Sequence, residues 1–148
     1  MSLNQKIADD LKNAMKKRDS FRLACLRMLK SSVKNKQVEL GRELEDEEIH
    51  KVVSSLVRKG KEAADEFRAG GREDLALKEE SEAGLLQEYL PEQLTSDEME
   101  GIIREVISDL SASSVKDLGK VMKAAMGKMA GRGEGKQANK IARELLGG

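Results

Sequence analysis

Apolar residues recur at helical spacing along nearly the whole of this 148-residue chain, and that pattern limits its fold more than any other feature. Leu3, Ile7, Leu11 and Ala14/Met15 predict a first helix running to about Arg18, and Ser20 is the expected cap of a second through Phe21, Leu23, Cys25/Leu26, Leu29, Val33 and Leu40. Gly41 should end that helix as a C′ glycine. A third helix is expected behind the acidic run Glu45 to Glu48, through Ile49, Val53, Leu56, Ala64 and Phe67, with its stop at Gly70-Gly71. A fourth spans about Arg72 to Tyr89.

Beyond it lies the only proline, Pro91 in LPEQL, followed by the capping box Thr95-Ser96-Asp97-Glu98. Three short amphipathic helices are expected next, on Met99 to Leu110, Leu118 to Met129 and Ala138 to Leu146. No segment alternates with period two, and aromatic residues are 2% of the chain, so strands are not expected. The fold class is all-α in two parts: an N-terminal domain of about four helices (1–90), a linker (91–95) and a small C-terminal three-helix bundle (96–148).

The formal net charge is zero, but its distribution is uneven. Residues 1–41 carry ten Lys/Arg against four Asp/Glu, residues 42–94 eight against fifteen, 95–112 one against five, and 113–148 eight against three. Both ends are basic and the middle is acidic. A single cysteine, Cys25, excludes an intramolecular disulfide and a Cys-rich metal site. With no signal-like apolar run and no long apolar window, a soluble cytoplasmic protein with no membrane partner is expected.

Residues 130–140, AGRGEGKQANK, imitate a nucleotide-binding loop. Against the Walker pattern, Ala130 replaces the first glycine and Gln137 the metal-binding hydroxyl. Gly133 to Ala138 fits G-x-G-x-x-A, but that fingerprint needs a preceding strand, and none is expected. The stretch is better read as the turn between the last two helices.

No catalytic constellation emerges from the remaining residues. His50 is the sole histidine and reads as a partly exposed surface side chain, and Cys25 as a small buried hydrophobe. The dense carboxylates of residues 43–92 read as solvated helix faces, and Met122, Met126 and Met129 as packing. No catalytic residue, cofactor, metal site or small-molecule substrate is therefore expected. The basic residues of the tail carry more information. Lys116, Lys120 and Lys123 fall at i, i+4 and i+7, and Lys136, Lys140 and Arg143 repeat the spacing on the next helix. Lys128 and Arg132 add charge to the connection between them. These eight residues are the candidate RNA-binding set. Without an aromatic in the tail, recognition should go through phosphates and 2′-hydroxyls of a folded RNA.

LPEQL at 90–94 together with DLGKVMKAAMGKMAGRGEGKQANKIARELL at 117–146 resembles the GatB/YqeY family, and the likeness extends over essentially the whole chain, including MSLNQKIADDLKNAMKKRD and RLACLRMLKSSVKNKQVE. The most specific parts are the LPEQL joint and Gly119 to Met122. The resemblance implies kinship with the helical, tRNA-contacting tail of the B subunit of the glutamine-dependent tRNA amidotransferase. It implies an accessory protein that binds tRNA or a tRNA-amidotransferase complex. A carbon-nitrogen ligase activity with glutamine as amido-N-donor is implied by association alone. The alternative is a helical protein-protein module, its acidic third and fourth helices docking a basic partner.

Overall fold

In the computed structural model, which describes residues 2–147, α1, α2 and α5 begin where a side chain supplies an acceptor for a free N–H group. α1 (Leu3–Lys16) is capped by the Ser2 hydroxyl, which accepts from the Gln5 N–H at 3.2 Å. α2 (Ser20–Leu40) is capped by Asp19, one residue before the expected Ser20, its carboxylate accepting from the Arg22 N–H at 3.0 Å. A carboxylate serves that end better, because it also answers the positive pole of the helix. α2 ends at Gly41 (φ +73°), in the left-handed conformation expected of a C′ glycine.

α3 (Asp46–Ala69) is held at its start by the Glu48 carboxylate, which accepts from the Glu45 N–H at 3.0 Å. At its far end Gly71 (φ +78°), not Gly70, makes the left-handed turn into α4 (Glu73–Gln87). Thr95 and Glu98 form the expected capping box at α5 (Ser96–Leu110): the Thr95 hydroxyl accepts from the Glu98 N–H at 3.2 Å, and the Glu98 carboxylate accepts from the Thr95 N–H at 3.1 Å. A single 3₁₀ turn (Val115–Asp117) leads into α6 (Leu118–Met129), and α7 (Gly135–Leu145) closes the chain. Among the described residues these seven α-helices and the 3₁₀ turn account for all regular structure, so the protein is all-α.

The helices gather into two compact units, one through Leu90 and one from Pro91 onward. In the first, α3 and α4 form a tight antiparallel hairpin. Gly60 faces α4 within it, and a side-chain carbon there would lie 3.4 Å from that of Ala83. Leu26, Leu29, Ile49, Val53 and Leu86 fill the interior. Each such side chain contributes about 1.5–3 kcal/mol on burial. Tyr89, buried just past α4, donates its hydroxyl to Asp10 on α1 at 2.5 Å, while the Lys6 ammonium lies 4.9 Å from its ring centroid and 2.9 Å from Asp10. Burial alone would raise the Asp10 carboxyl, but the hydrogen bonds from Lys6 and Tyr89 outweigh it and hold the group below its ordinary value. Burial, then the bond to Asp10, pushes the Tyr89 phenol up. This knot fastens the first helix to the end of the fourth.

The second unit has a different interior. Met99, Ile103, Val106, Val121 and Met129 meet three fully buried alanines, Ala125, Ala138 and Ala142, which let α5, α6 and α7 approach closely. The flexible methionines fill what remains.

Candidate nucleic-acid interface

The glycine-rich connection between α6 and α7 is a structural joint. The Leu94 N–H donates to the Arg132 carbonyl at 2.7 Å, the Arg132 Nε donates to the Glu92 carbonyl at 2.9 Å, and the Gln93 amide reaches the Gly131 carbonyl at 3.3 Å. The Glu92–Leu94 part of LPEQL therefore lies along the loop and occupies the Gly131 and Arg132 carbonyls. Gly133 sits so close that a side-chain carbon there would fall 2.5 Å from the Met129 sulfur. The glycine permits packing onto the Met99 and Met129 side chains of the bundle. α6 and the 3₁₀ turn, not a strand, precede the loop, which removes the structural context a dinucleotide fingerprint requires.

The eight candidate residues divide by what they touch. Lys120 and Lys123 lie on the face of α6 opposite the buried Val121, Ala125 and Met129, and both are exposed. Lys136, Lys140 and Arg143 form the corresponding ridge on α7, opposite Ala138 and Ala142. Lys116 belongs to the 3₁₀ turn, so the expected three-lysine stripe on one α-helix is a pair with a third lysine just ahead of it. Among the described residues, Lys116, Lys120, Lys123, Lys136 and Lys140 have no side-chain bonding partner.

The other three are engaged. Lys128 stands on the last turn of α6, not in the loop, and its ammonium contacts Glu105 at 3.2 Å and Asp109 at 3.5 Å on α5. Arg132 holds the linker. Arg143 donates to the Asn139 side chain at 2.9 Å on its own helix and remains exposed.

α5 supplies the counterpart: five carboxylates against the single Arg104, itself paired with Glu100 at 2.9 Å. The bundle is thus acidic on one helix and basic on the other two. A groove of about 320 Å³ lies between the start of α5 and α7, lined by Lys140 together with Asp97, Glu100 and Glu144, none of them bonded to it. Lys140 accordingly stands in the least positive surroundings of the ridge.

The residues weighed for catalysis are placed as follows. Cys25 is buried on α2, and that burial pushes its thiol up, away from the nucleophilic thiolate. His50 is half-buried on α3. Among the described residues no group of three or more His, Cys, Asp or Glu side chains could hold a metal ion, and no helix is long and apolar enough to cross a membrane.

Residues 4–146 match the model of the Yqey-like protein family. A relative from Lachancea thermotolerans named "Altered inheritance of mitochondria protein 41, mitochondrial" is 35% identical over 92 residues, covering 62% of this chain and 49% of the relative. Proteins of the same name from Saccharomyces cerevisiae and Eremothecium gossypii are 30% and 34% identical over 92 and 85 residues, covering 62% and 57% of this chain and 50% and 46% of their own lengths. The chain thus spans about half the length of these curated relatives. Their names correct the expectation of a cytoplasmic protein, since they are named as mitochondrial. That expectation rested on a single unpaired cysteine and on the lack of a signal-like or long apolar run, which point to a reducing, aqueous setting and do not distinguish one such compartment from another.

Proposed function

The chain belongs to the Yqey-like protein family, and we propose that it is an accessory RNA-binding protein whose α6 and α7 ridges hold the phosphate backbone of a folded RNA of the tRNA type, alone or beside a tRNA amidotransferase. The observation that carries this reading is the unpaired state of Lys116, Lys120, Lys123, Lys136 and Lys140. Exposed lysines without carboxylate partners keep their charge available, and each phosphate neutralised releases a counterion. No nucleophile-base pair is assigned, so amide transfer by the chain alone is outside the proposal.

Filter retention of tRNA against salt tests it. Binding should weaken steeply between about 50 and 200 mM salt, and reversing Lys120 and Lys136 to Glu should lower both the affinity and the salt slope. No retention at about 50 mM, or indifference to the reversals, overturns the proposal.

A second reading is favoured by a groove of about 280 Å³ in the first unit. Its apolar lining includes Met28, Leu56, Ala63 and Leu86, and its charged lining is Glu79 and Glu82 against the single Lys59. Such a groove suits a basic amphipathic segment of another protein. Recovery of a protein partner after nuclease treatment, lost when Glu79 and Glu82 are changed to Gln, would favour it over RNA.

A further inference from the structure

The turn between α1 and α2 supplies what the α6 and α7 ridges lack: an exposed aromatic ring among free cations. Every residue from Met15 to Phe21 is exposed, including both large apolar side chains, Met15 at 53% and Phe21 at 42%. Phe21 lies roughly a quarter turn around α2 from the buried stripe of Cys25, Leu26, Leu29 and Val33, so the core does not claim its ring. Lys12, Lys16, Lys17 and Arg18 have no side-chain bonding partner among the described residues. The one carboxylate of the turn, Asp19, is occupied in capping α2, and Arg22 is paired with Glu88 at 3.3 Å. Arg18 holds a left-handed backbone (φ 55°), where glycine would fit without strain. A guanidinium therefore sits at a position where folding alone favours glycine.

An exposed phenyl ring in the same short turn as uncompensated cations suits unpaired nucleotides, whose bases stack while their phosphates meet Lys and Arg. An anionic membrane would use the same charges, but two apolar side chains offer it little to insert. We infer that the α1–α2 turn is a second RNA contact, stacking an unpaired base on Phe21 and holding the adjoining phosphates with Lys16, Lys17 and Arg18. It rests on the reading that the chain binds RNA, and it adds that the RNA carries an unpaired end.

The experiment uses the full chain with two probes, a blunt RNA hairpin and the same hairpin bearing a four-nucleotide single-stranded 3′ extension. The extension should tighten binding at least about fivefold, the lower bound for one stacked base. Phe21→Ala should abolish that gain and leave blunt-hairpin affinity unchanged. The chain contains no tryptophan, so Phe21→Trp places a single indole at the turn. Its fluorescence should be quenched by the extended hairpin and not by the blunt one. Blunt and extended hairpins bound equally, or an unquenched indole at saturation, overturns the turn as a contact while leaving the α6 and α7 ridges standing. Failure of both hairpins to bind overturns both proposals. An indole that responds to phosphatidylserine vesicles and not to RNA assigns the turn to a membrane surface, and overturns the inference.

Discussion

In the first unit four arginines on or beside α2 and α3 are tied to carboxylates: Arg22 to Glu88, Arg42 to Glu48, Arg68 to Glu73 and Glu80, Arg72 to Asp74. In the second unit five lysines of the 3₁₀ turn, α6 and α7 stand without such partners, although α5 carries a surplus of acid. Exposed ion pairs contribute only about 0–1 kcal/mol each, so the contrast is not one of stability. It is a contrast in placement: the first unit ties these arginines to carboxylates and leaves Lys12, Lys16, Lys17 and Arg18 free about the α1–α2 turn, whereas the second leaves its free lysines on the 3₁₀ turn and two successive helices. The interiors differ as well. A tyrosine clamped to two charged side chains closes the first, whereas methionine and alanine close the second.

The largest expected effect separates the units by their cores. Ile103, fully buried in the second unit, should cost about 2–5 kcal/mol when changed to Ala. Tyr89 is the only tyrosine and belongs to the first unit, so its fluorescence reports that unit alone. In urea the Ile103→Ala variant should lose helical ellipticity early while the Tyr89 transition stays in place. If both move together, the two units unfold as one and the comparison breaks.

A smaller effect should mark the clamp. Tyr89→Phe removes the hydroxyl that reaches Asp10 and should destabilise the first unit by about 1.5–3 kcal/mol, the range for hydrogen bonds to charged groups. The urea midpoint of helical ellipticity for the first unit measures it. No shift would show that Lys6 alone satisfies Asp10.

The smallest effect is electrostatic. Arg42 first, and the Glu45 N–H second, hold the Glu48 carboxyl down at about 2. Its contribution to stability is therefore present above the ordinary value of 4.5 and is lost as pH falls from there through about 2. The thermal midpoint should drop over that window, and less so in Glu48→Gln. A drop of the same size in both proteins would show that other carboxylates govern acid unfolding.

The helices were legible because local rules act on neighbouring residues. Apolar spacing placed all seven, Gly41 ended α2, and Thr95 with Glu98 opened α5. Local signals also misled. Asp19 and Ser20 are both good caps, and only the backbone path chose the former. Phe21 counts among the apolar residues of α2 in sequence, yet it lies about a quarter turn off the buried stripe and is exposed.

The candidate site was legible in part. Lys120, Lys123, Lys136 and Lys140 could be placed opposite the apolar faces of their helices from periodicity alone. Their lack of partners could not be read that way, nor could the engagement of Lys128 by Glu105 and Asp109, 23 and 19 residues away. The same holds for Arg132, whose partner Glu92 lies 40 residues off, and for Tyr89, whose partner Asp10 lies 79 off.

By itself, then, the sequence determined which segments are helical, which face of each is apolar, and where charge is concentrated, because these follow from interactions within a few residues. Tertiary structure decided which charges are neutralised and which remain free, that the LPEQL segment bonds to the glycine-rich loop, and that Phe21 is exposed. Those outcomes depend on groups distant in the chain meeting in space, and only the packed fold brings them together.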